Sequence, residues 1–492
     1  MVDPLIHGTE WNFATLDRIT DVIFDIGINE LGLDPYPAQL EIITSEQMVD
    51  AYCAVGMPIF YHHWSFGKHF TSQWTQYQRG MMGLAYEIVI NSNPCIAYLM
   101  EENTIAMQAL TIAHASTGHS HFFHHNYLFR QWTDAESIID YLVFAREYIK
   151  KCEVREGMKE VEAFLDSCHS LMNYGINRFK RPSKLSPAKE RKREDEREAY
   201  DQAQKTELSE FFKSLQTKTP EAVTKKFPKE PEENILYFCE KYAPDIPVWK
   251  REIIRIVRKI SQYFYPQGLT KVMNEGAACF SHYRIMNRLH EKGLMTDGCM
   301  LEFLQSHTNV IFQPAFDDPR YSGLNPYALG FAMMQDIERI CREPTDEDWE
   351  DFPQFAGCGE EMAVLKDAWE NYRDESFIRQ FLSRKVIRDM GLFRLKDNRK
   401  ESNYLVTAIH DKRGYDEIRE TLADSHERHE MVPQIEVVKV EPDTRVLHLE
   451  YKAHNKRTLG NAEKVIQHIQ ALWGHPVTLH DDKGTLVASS KQ

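Results

Sequence analysis

The sequence predicts a mainly α-helical N-terminal and central region, followed by a small C-terminal α+β domain. Apolar residues recur at helical spacing over residues 12–180 and again over 235–389. Residues 400–492 instead alternate short apolar runs with two helical segments, in the order β-α-β-β-α-β. That order is the split βαβ arrangement, so we expect a ferredoxin-like fold at the C-terminus.

Four segments follow from these patterns. Residues 1–180 are predicted to form a helical domain that carries a histidine cluster, with residues 86–90 as a short strand or buried extended piece. Residues 181–232 are predicted to form a charged helix or linker, since they include a run of charged residues. Residues 233–395 form a second helical region that completes the core, and residues 400–492 form the α+β domain.

The overall composition excludes several classes of protein. A net charge of −15 argues against general affinity for the nucleic acid backbone. The sequence has no run of 18 or more apolar residues, so we expect no membrane span. The nine cysteines are scattered without a C-x-x-C pair, which is typical of reduced thiols and predicts a cytoplasmic protein.

Five of the 21 histidines lie within twelve residues, and neutral imidazole is the commonest protein ligand for metals. On a regular helix, His114, His121 and His125 share one face. His119 then points about 140° away from His114. The two could converge if the helix breaks near Gly118; otherwise the two faces have different functions.

A second segment supplies a carboxylate. Glu275, Cys279 and His282 fall on one helical face. Residues 274–278 (NEGAA) are similar to the third-ligand helix of gluzincin metallopeptidases, in which that glutamate binds zinc. The histidine cluster departs from H-E-x-x-H, however, because its spacing is longer and it lacks the glutamate base.

These segments predict one divalent metal ion, zinc in the first place, with iron or manganese as alternatives. The predicted ligands are His114, His119, Glu275 and His282. Glu101 or Glu102 would activate a water molecule, and Lys68 or His63 would stabilise an oxyanion. The predicted supporting residues are His62, Gln108, His121, His125, Asn126, Asn274 and Tyr283.

Structural explanations compete with each assignment. A histidine among aromatic residues is more often a hydrogen-bonded core residue than a ligand. Adjacent glutamates at a helix start usually complement the helix dipole. Two functions therefore stay open: a metal-dependent hydrolase of the amidase or peptidase type, or a non-catalytic partner in a complex.

The chain resembles the SpoVR family, named for stage V sporulation protein R. The resemblance extends over essentially the whole chain and includes residues 61–68 (YHHWSFGK), 312–321 (FQPAFDDPRY) and 325–332 (NPYALGFA). The other matching strings are residues 36–44, 86–104, 113–114, 118–119, 122–129, 274–276 and 282–283.

The resemblance implies a link to the spore cortex, a peptidoglycan layer, or to stress and stationary-phase physiology. It also implies a cytoplasmic complex with a PrkA-type AAA+ serine kinase and a von Willebrand-A-like protein. An aromatic residue follows Asn-Glu-Gly in the family, whereas this chain has Ala277. If that aromatic lines the site, the pocket here is more open, or Met81, Phe280 or another side chain fills it.

Overall fold

The computed structural model describes residues 4–54, 59–78, 87–180, 196, 199, 227–228, 230–396, 405–408, 410–427, 432–452 and 459–490. The chain divides into two compact units. The first comprises residues 1–166, 259–433 and 454–457, and the second comprises residues 167–258, 434–453 and 458–492. The predicted four-segment division stays a prediction, and most of the charged segment lies outside the described residues.

The described helices begin and end as follows. They are α1 Phe13–Asp25, α2 Ser45–Cys53, α3 Trp64–Gln78, α4 Ile105–Thr111, α5 Ser120–His125, α6 Tyr127–Trp132, α7 Ile138–Glu156, α8 Met158–Ser170, α9 Ile235–Tyr242, α10 Val248–Leu269, α11 Lys271–Glu291, α12 Asp297–Val310, α13 Pro326–Arg342, α14 Asp346–Asp351, α15 Glu361–Asn371, α16 Asp374–Phe381, α17 Arg384–Asp389, α18 Lys412–Ser425 and α19 Ala462–Trp473. Two π-helical segments, Ile26–Glu30 and Ile112–His119, and a short 3₁₀ turn, Met172–Tyr174, complete the helical elements.

The strands are β1 Ala38–Ile43, β2 Glu87–Ile90, β3 Cys95–Met100, β4 Arg394–Lys396, β5 Leu405–Ala408, β6 Gln434–Val440, β7 Leu447–Lys452, β8 Val477–Asp481 and β9 Leu486–Ser489. In the first unit, β3 lies between β1 and β2, parallel to β1 and antiparallel to β2. The short strand predicted over 86–90 is therefore confirmed. Its first residue, Glu87, lies opposite Leu99.

Helix α11 packs closely against two other elements of the first unit. A Cβ added to Gly276 would lie 2.6 Å from the carbonyl carbon of Gly330, so the backbones of α11 and α13 are in direct contact. A Cβ added to Gly118 would lie 2.6 Å from the Cα of Ala278, so the π-helix is equally close to α11. These contacts bring the histidine cluster against the Asn-Glu-Gly segment.

A buried carboxylate anchors the beginning of α11. The Asp374 carboxylate oxygens accept hydrogen bonds from the backbone N–H groups of Val272 and Met273, each at 2.9 Å. The first N–H groups of a helix have no partner within the helix, so a side chain from elsewhere in the fold satisfies them here. This anchor fixes the first turn of α11, which Glu275 directly follows.

The predicted C-terminal elements form, but they pair differently from a ferredoxin-like domain. Strand β5 pairs antiparallel with β4, and both belong to the first unit together with α18. In the second unit the sheet order is β6-β7-β8-β9, with β7 parallel to β8 and both outer pairs antiparallel. The ferredoxin-like arrangement is therefore not confirmed, because local alternation predicts strands but not their partners.

Among the helices that the structure describes, none is both long enough and apolar enough to cross a membrane.

Candidate metal centre

A π-helical turn brings the two central histidines together. Residues Ile112–His119 form a π-helix that continues α4 and leads directly into α5. In a π-helix the backbone hydrogen bonds join residues five apart, so His114 and His119 come to lie one turn apart on one side. Their rings are perpendicular, with centroids 4.6 Å apart. The helix does not break at Gly118; it widens.

Two carboxylates from other elements face these histidines. Glu275 of α11 places its Oε2 atom 3.4 Å from His119 Nε2 and 3.8 Å from His114 Nε2. Glu87 of β2 places its Oε1 atom 3.3 Å from His114 Nε2. Both histidines are 5% exposed. Ligand atoms of Glu87, His114 and His119 lie within 4.8 Å of one another, and Glu275 approaches both histidines from another element.

The spacing of these atoms fits a metal ion better than direct hydrogen bonds. Nitrogen and oxygen ligands of a tetrahedral ion at about 2.0–2.1 Å would lie roughly 3.3 Å apart. An N–H···O hydrogen bond usually spans about 2.7–3.2 Å, shorter than the distances found here. Among the described residues, the buried Oε2 atoms of Glu87 and Glu275 have no hydrogen-bond partner. Such orphaned oxygens are costly unless a cation satisfies them.

The His119 ring nitrogen that points away from the carboxylates has the partner expected of a metal-binding histidine. His119 Nδ1 lies 2.9 Å from Asn274 Oδ1, so the Nδ1–H group donates and the Nε2 lone pair faces the carboxylates. Metal-binding histidines commonly donate their second N–H in this way. The residues present therefore fit a divalent metal ion.

Burial and mutual contacts shift the pKa values of the histidine and carboxyl groups of this site. Burial disfavours the charged form of His119, yet Glu275, Glu87 and Asn274 together raise its pKa above the usual value. Burial also opposes ionisation of Glu275, but contacts with His114 and His119 lower the pKa of Glu275. Burial raises the pKa of Glu87. Glu87 is thus the carboxyl group here that most readily holds a proton.

Behind His114 lie two further buried histidines. His282 Nδ1 lies 2.8 Å from His114 Nδ1, and His282 Nε2 lies 2.7 Å from His307 Nδ1. Burial and the neighbouring histidines lower the pKa of His282, and burial lowers the pKa of His307 to about 4. The Cys279 thiol is also close to His114 and His282, but burial raises its pKa, so it is a neutral and weak ligand.

The site opens into a pocket of about 940 Å³ in the first unit. Its wall combines apolar side chains with Tyr52, Lys271 and Tyr327. The Tyr327 ring stacks at 6.5 Å from the His114 ring, and burial together with Glu275 raises the pKa of Tyr327. A molecule in this pocket would contact His114, His119 and Glu275 directly, since all three line it.

The structure brings together five of the predicted site residues, namely His114, His119, Asn274, Glu275 and His282. Tyr283 lies next to them, with its ring 5.1 Å from the ring of His307. Their assignment as ligands or supporting residues stays a prediction.

The four predicted catalytic residues lie outside the described lining of this pocket. Glu101 and Glu102 are exposed in the turn after β3. Lys68 is exposed on α3, and His63 is buried with its Nε2 atom 3.2 Å from Asp166 Oδ1. Nearness in sequence to the histidine cluster does not place these side chains near it in space.

Three of the predicted supporting residues also lie elsewhere. Gln108 is buried and donates a hydrogen bond to the backbone carbonyl of Met100 at 2.9 Å. Asn126 donates to the backbone carbonyl of Trp369 at 2.6 Å and so connects the end of α5 to α15. His62 is exposed. Gln108 and Asn126 therefore contribute to the core through backbone contacts.

The remaining histidines of the cluster lie around Asp34. His121 Nδ1 accepts the backbone N–H of Asp34 at 2.9 Å, and burial together with His125 lowers the pKa of His121 to about 3. His125 Nε2 lies 3.0 Å from Asp34 Oδ2. His124 is half-exposed. The cluster thus separates into a buried pair at the carboxylates and a group that holds residue 34.

Two important residues were missed by sequence analysis. Glu87 lies within a matching string of the family resemblance, but only the pairing of β2 with β3 shows that it reaches the histidines. His307 lies on α12 without any motif around it. The sequence did contain one signal for Glu87: it is the only charged residue of β2, and the other three residues of that strand are apolar.

Ala277 does not line the pocket. It is 1% exposed and belongs to the same apolar core cluster as Phe280. An aromatic side chain at this position would therefore enter the core. Met81, which could have filled an open site, lies outside the described residues.

Comparison with known proteins identifies the family. A family model described as "SpoVR like protein" matches residues 10–431, and one described as "SpoVR-like C-terminal domain" matches residues 433–484. The "Uncharacterized protein YcgB" of Escherichia coli (strain K12) is 52% identical over 477 residues, covering 96% of this chain and 93% of that protein. No solved structure matches the chain. Motifs, family models and this relative agree, and the chain belongs to the SpoVR family.

Proposed function

We propose that this protein binds one divalent metal ion through His114, His119 and Glu275 and acts as a metal-dependent hydrolase. One observation carries the proposal: the buried Oε2 atom of Glu275, which has no hydrogen-bond partner in the described structure, lies 3.4 Å from His119 Nε2 and 3.8 Å from His114 Nε2. Zinc suits this mixture of imidazole and carboxylate, and iron or manganese suits it as well.

The reaction that these groups support best is hydrolysis of an amide or peptide bond. A divalent ion at this site would supply Lewis-acid chemistry, which polarises a carbonyl group or acidifies a water molecule. Glu87 accepts a proton from water while the water oxygen attacks the carbonyl carbon. Glu87 then donates that proton to the nitrogen that leaves when the C–N bond breaks. Its raised pKa suits both transfers.

Glu87 takes the role of general base in this proposal for a geometric reason. Its Oε1 atom is 3.3 Å from His114 Nε2, whereas Glu101 and Glu102 are exposed outside the pocket. Lys271 and Tyr327, which line the pocket, are the groups available to hold a substrate oxygen.

Amide hydrolysis by three variants tests the proposal, with synthetic peptides and peptidoglycan fragments as substrates. Glu87→Gln is expected to keep its metal and lose about 10²–10⁴-fold in turnover, since it cannot transfer the proton. Glu275→Gln is expected to lose the metal as well. The control Glu102→Gln makes the same substitution at an exposed glutamate outside the pocket and should leave metal content and turnover unchanged. Wild-type turnover in Glu87→Gln would contradict the assignment.

We also propose, from the family resemblance, that the protein is cytoplasmic and is linked to the cell wall or to stress and stationary-phase physiology. A non-catalytic docking role with a PrkA-type kinase and a von Willebrand-A-like protein is the second candidate. One observation favours it: β9 is an edge strand of the second unit's described sheet and exposes Leu486 and Val487. Exposed apolar edge strands can pair with another chain.

A pull-down with the purified kinase separates the two candidates. Replacing Leu486 and Val487 together by lysine should abolish binding if β9 is the docking edge. Val154→Lys, on an exposed apolar residue of α7, is the control. Binding that survives the double substitution would contradict docking through this strand.

A further inference from the structure

Three buried histidines form a continuous hydrogen-bonded row that begins at the metal centre. His114 Nδ1 lies 2.8 Å from His282 Nδ1, and His282 Nε2 lies 2.7 Å from His307 Nδ1. The three side chains come from the π-helix, α11 and α12 and are 5%, 1% and 3% exposed. Each ring therefore has its orientation fixed by a neighbour on a different element.

The surroundings leave this row few other polar partners. The ring of His307 lies 4.7 Å from Phe331 and 5.7 Å from Phe303. The Nε2 atom of His307 is buried and has no hydrogen-bond partner among the residues that the structure describes. The hydrogen bonds of His282 are therefore made with the two other histidines.

The positions of the protons follow from one condition at the metal end. If the lone pair of His114 Nε2 faces the ion, the proton of that ring is on Nδ1 and is donated to His282 Nδ1. His282 then carries its proton on Nε2 and donates it to His307 Nδ1. The proton of His307 is then on Nε2. All three rings are neutral, and both hydrogen bonds of the row point in one direction, from His114 to His307.

The alternative role for His282, that of a metal ligand, uses the same nitrogen. His282 Nδ1 cannot accept a hydrogen bond from His114 and coordinate the ion of the carboxylate site at the same time. His114 Nε2, in contrast, lies on the side of Glu87 and Glu275. The geometry separates the nitrogen that faces the carboxylates from the nitrogen that faces His282.

We propose that His282 and His307 are positioning residues that fix the tautomer and ring orientation of His114, so that its Nε2 atom is presented to the metal. This inference rests on the proposed metal site and goes beyond it, because it removes His282 from the ligand set and gives His307 a role. Asn274 does the same for His119, with its Oδ1 atom 2.9 Å from Nδ1.

Metal titration of the full-length protein tests the proposal. The protein is stripped with a chelator, and Zn²⁺ affinity is measured by competition with a chromophoric chelator. His282→Leu removes the acceptor and should weaken Zn²⁺ binding about 10–100-fold while one site per chain remains. His282→Asn places an amide oxygen near the position of Nδ1 and should recover most of the affinity. His307→Leu should cause a smaller loss.

His121→Asn is the matched control, because His121 is also a buried histidine hydrogen-bonded through Nδ1 but lies outside the row. It should bind Zn²⁺ as the wild type does. If His282→Leu does not fold, His307→Leu and His282→Asn carry the test, with the visible spectrum of bound Co²⁺ reporting the ligand set.

The outcomes separate this inference from the proposed function. Wild-type protein that binds no Zn²⁺ contradicts the metal site itself. Stoichiometric wild-type binding with unchanged affinity in the His282 and His307 variants overturns the positioning role alone. Complete loss of the site in His282→Asn, with a changed Co²⁺ spectrum in His307→Leu, would show that His282 is a ligand and overturn the inference.

Discussion

At the candidate metal centre, one ring nitrogen of His119 is hydrogen-bonded to an amide oxygen and the other faces a carboxylate oxygen. Asn274 holds the Nδ1–H group, so the Nε2 atom is left facing Glu275 at 3.4 Å. Lone pairs on both atoms would repel each other, and a cation between them removes the repulsion. That cation is either a proton on His119 or a metal ion, and the two compete.

This competition predicts how metal affinity depends on pH. Metal binding needs His119 without its second proton, and the carboxylates raise the pKa of His119 in spite of burial. Affinity should therefore fall as the pH is lowered through that raised pKa and level off above it. Competition titrations between pH 6 and 9, corrected for protonation of the competing chelator, measure the effect. An affinity independent of pH over this range would contradict the account.

At the scale of elements, the site depends on backbone contacts between the π-helix and α11. Gly118 and Ala278 meet so closely that any side chain at residue 118 would collide with backbone atoms. The π-helix places His114 and His119 on one side, and α11 places Glu275 opposite them. Separation of these two elements would increase the distance between the ligands.

Gly118→Ala is therefore expected to affect both stability and metal binding. Its Cβ would lie 2.6 Å from the Cα of Ala278, and overpacking of this kind costs about 1–3 kcal/mol. The melting temperature and the Zn²⁺ affinity should both decrease. Gly298→Ala on α12, where no atom lies within 4 Å of the new Cβ, is the matched control and should be neutral or slightly stabilising. Equal melting temperatures for the two variants would contradict the close packing.

The sequence predicted which residues meet at the candidate site better than it predicted how they come together. His114, His119 and Glu275 were found from residue type and motif, and Asn274 was found beside them. The widened turn was not found, since helical spacing assumes a regular helix and the π-helix alters it. Glu87 was missed because it reaches the site through the pairing of β2 with β3, which is not a local property of the sequence.

At the scale of the whole molecule, each unit is built from segments far apart in the chain. In the second unit, the ring of Phe238 packs 5.6 Å from that of Trp473, and Glu232 pairs with Val437. The residues of the proposed metal site all lie in the first unit. We therefore expect that the second unit can be destabilised without loss of metal binding.

Trp473→Ala tests this separation. The side chain is 2% exposed, and its indole N–H donates to the backbone carbonyl of Arg445 at 2.8 Å, so truncation should cost about 3–5 kcal/mol in the second unit. Proteolysis should become faster within residues 235–258, while Zn²⁺ affinity stays at the wild-type value. Leu486→Ala, at an exposed residue of the same unit, should change neither. A parallel loss of metal affinity in Trp473→Ala would contradict the separation.

The metal content of protein purified without an affinity tag tests the central claim most directly. Elemental analysis should find one equivalent of a divalent transition metal per chain, which is lost in His114→Ala and in Glu275→Gln and retained in Glu102→Gln. Removal of the metal with a chelator should lower the melting temperature, because an ion bound only by the folded state stabilises it. Metal-free wild-type protein, with a melting temperature that chelator and added Zn²⁺ leave unchanged, would contradict the account.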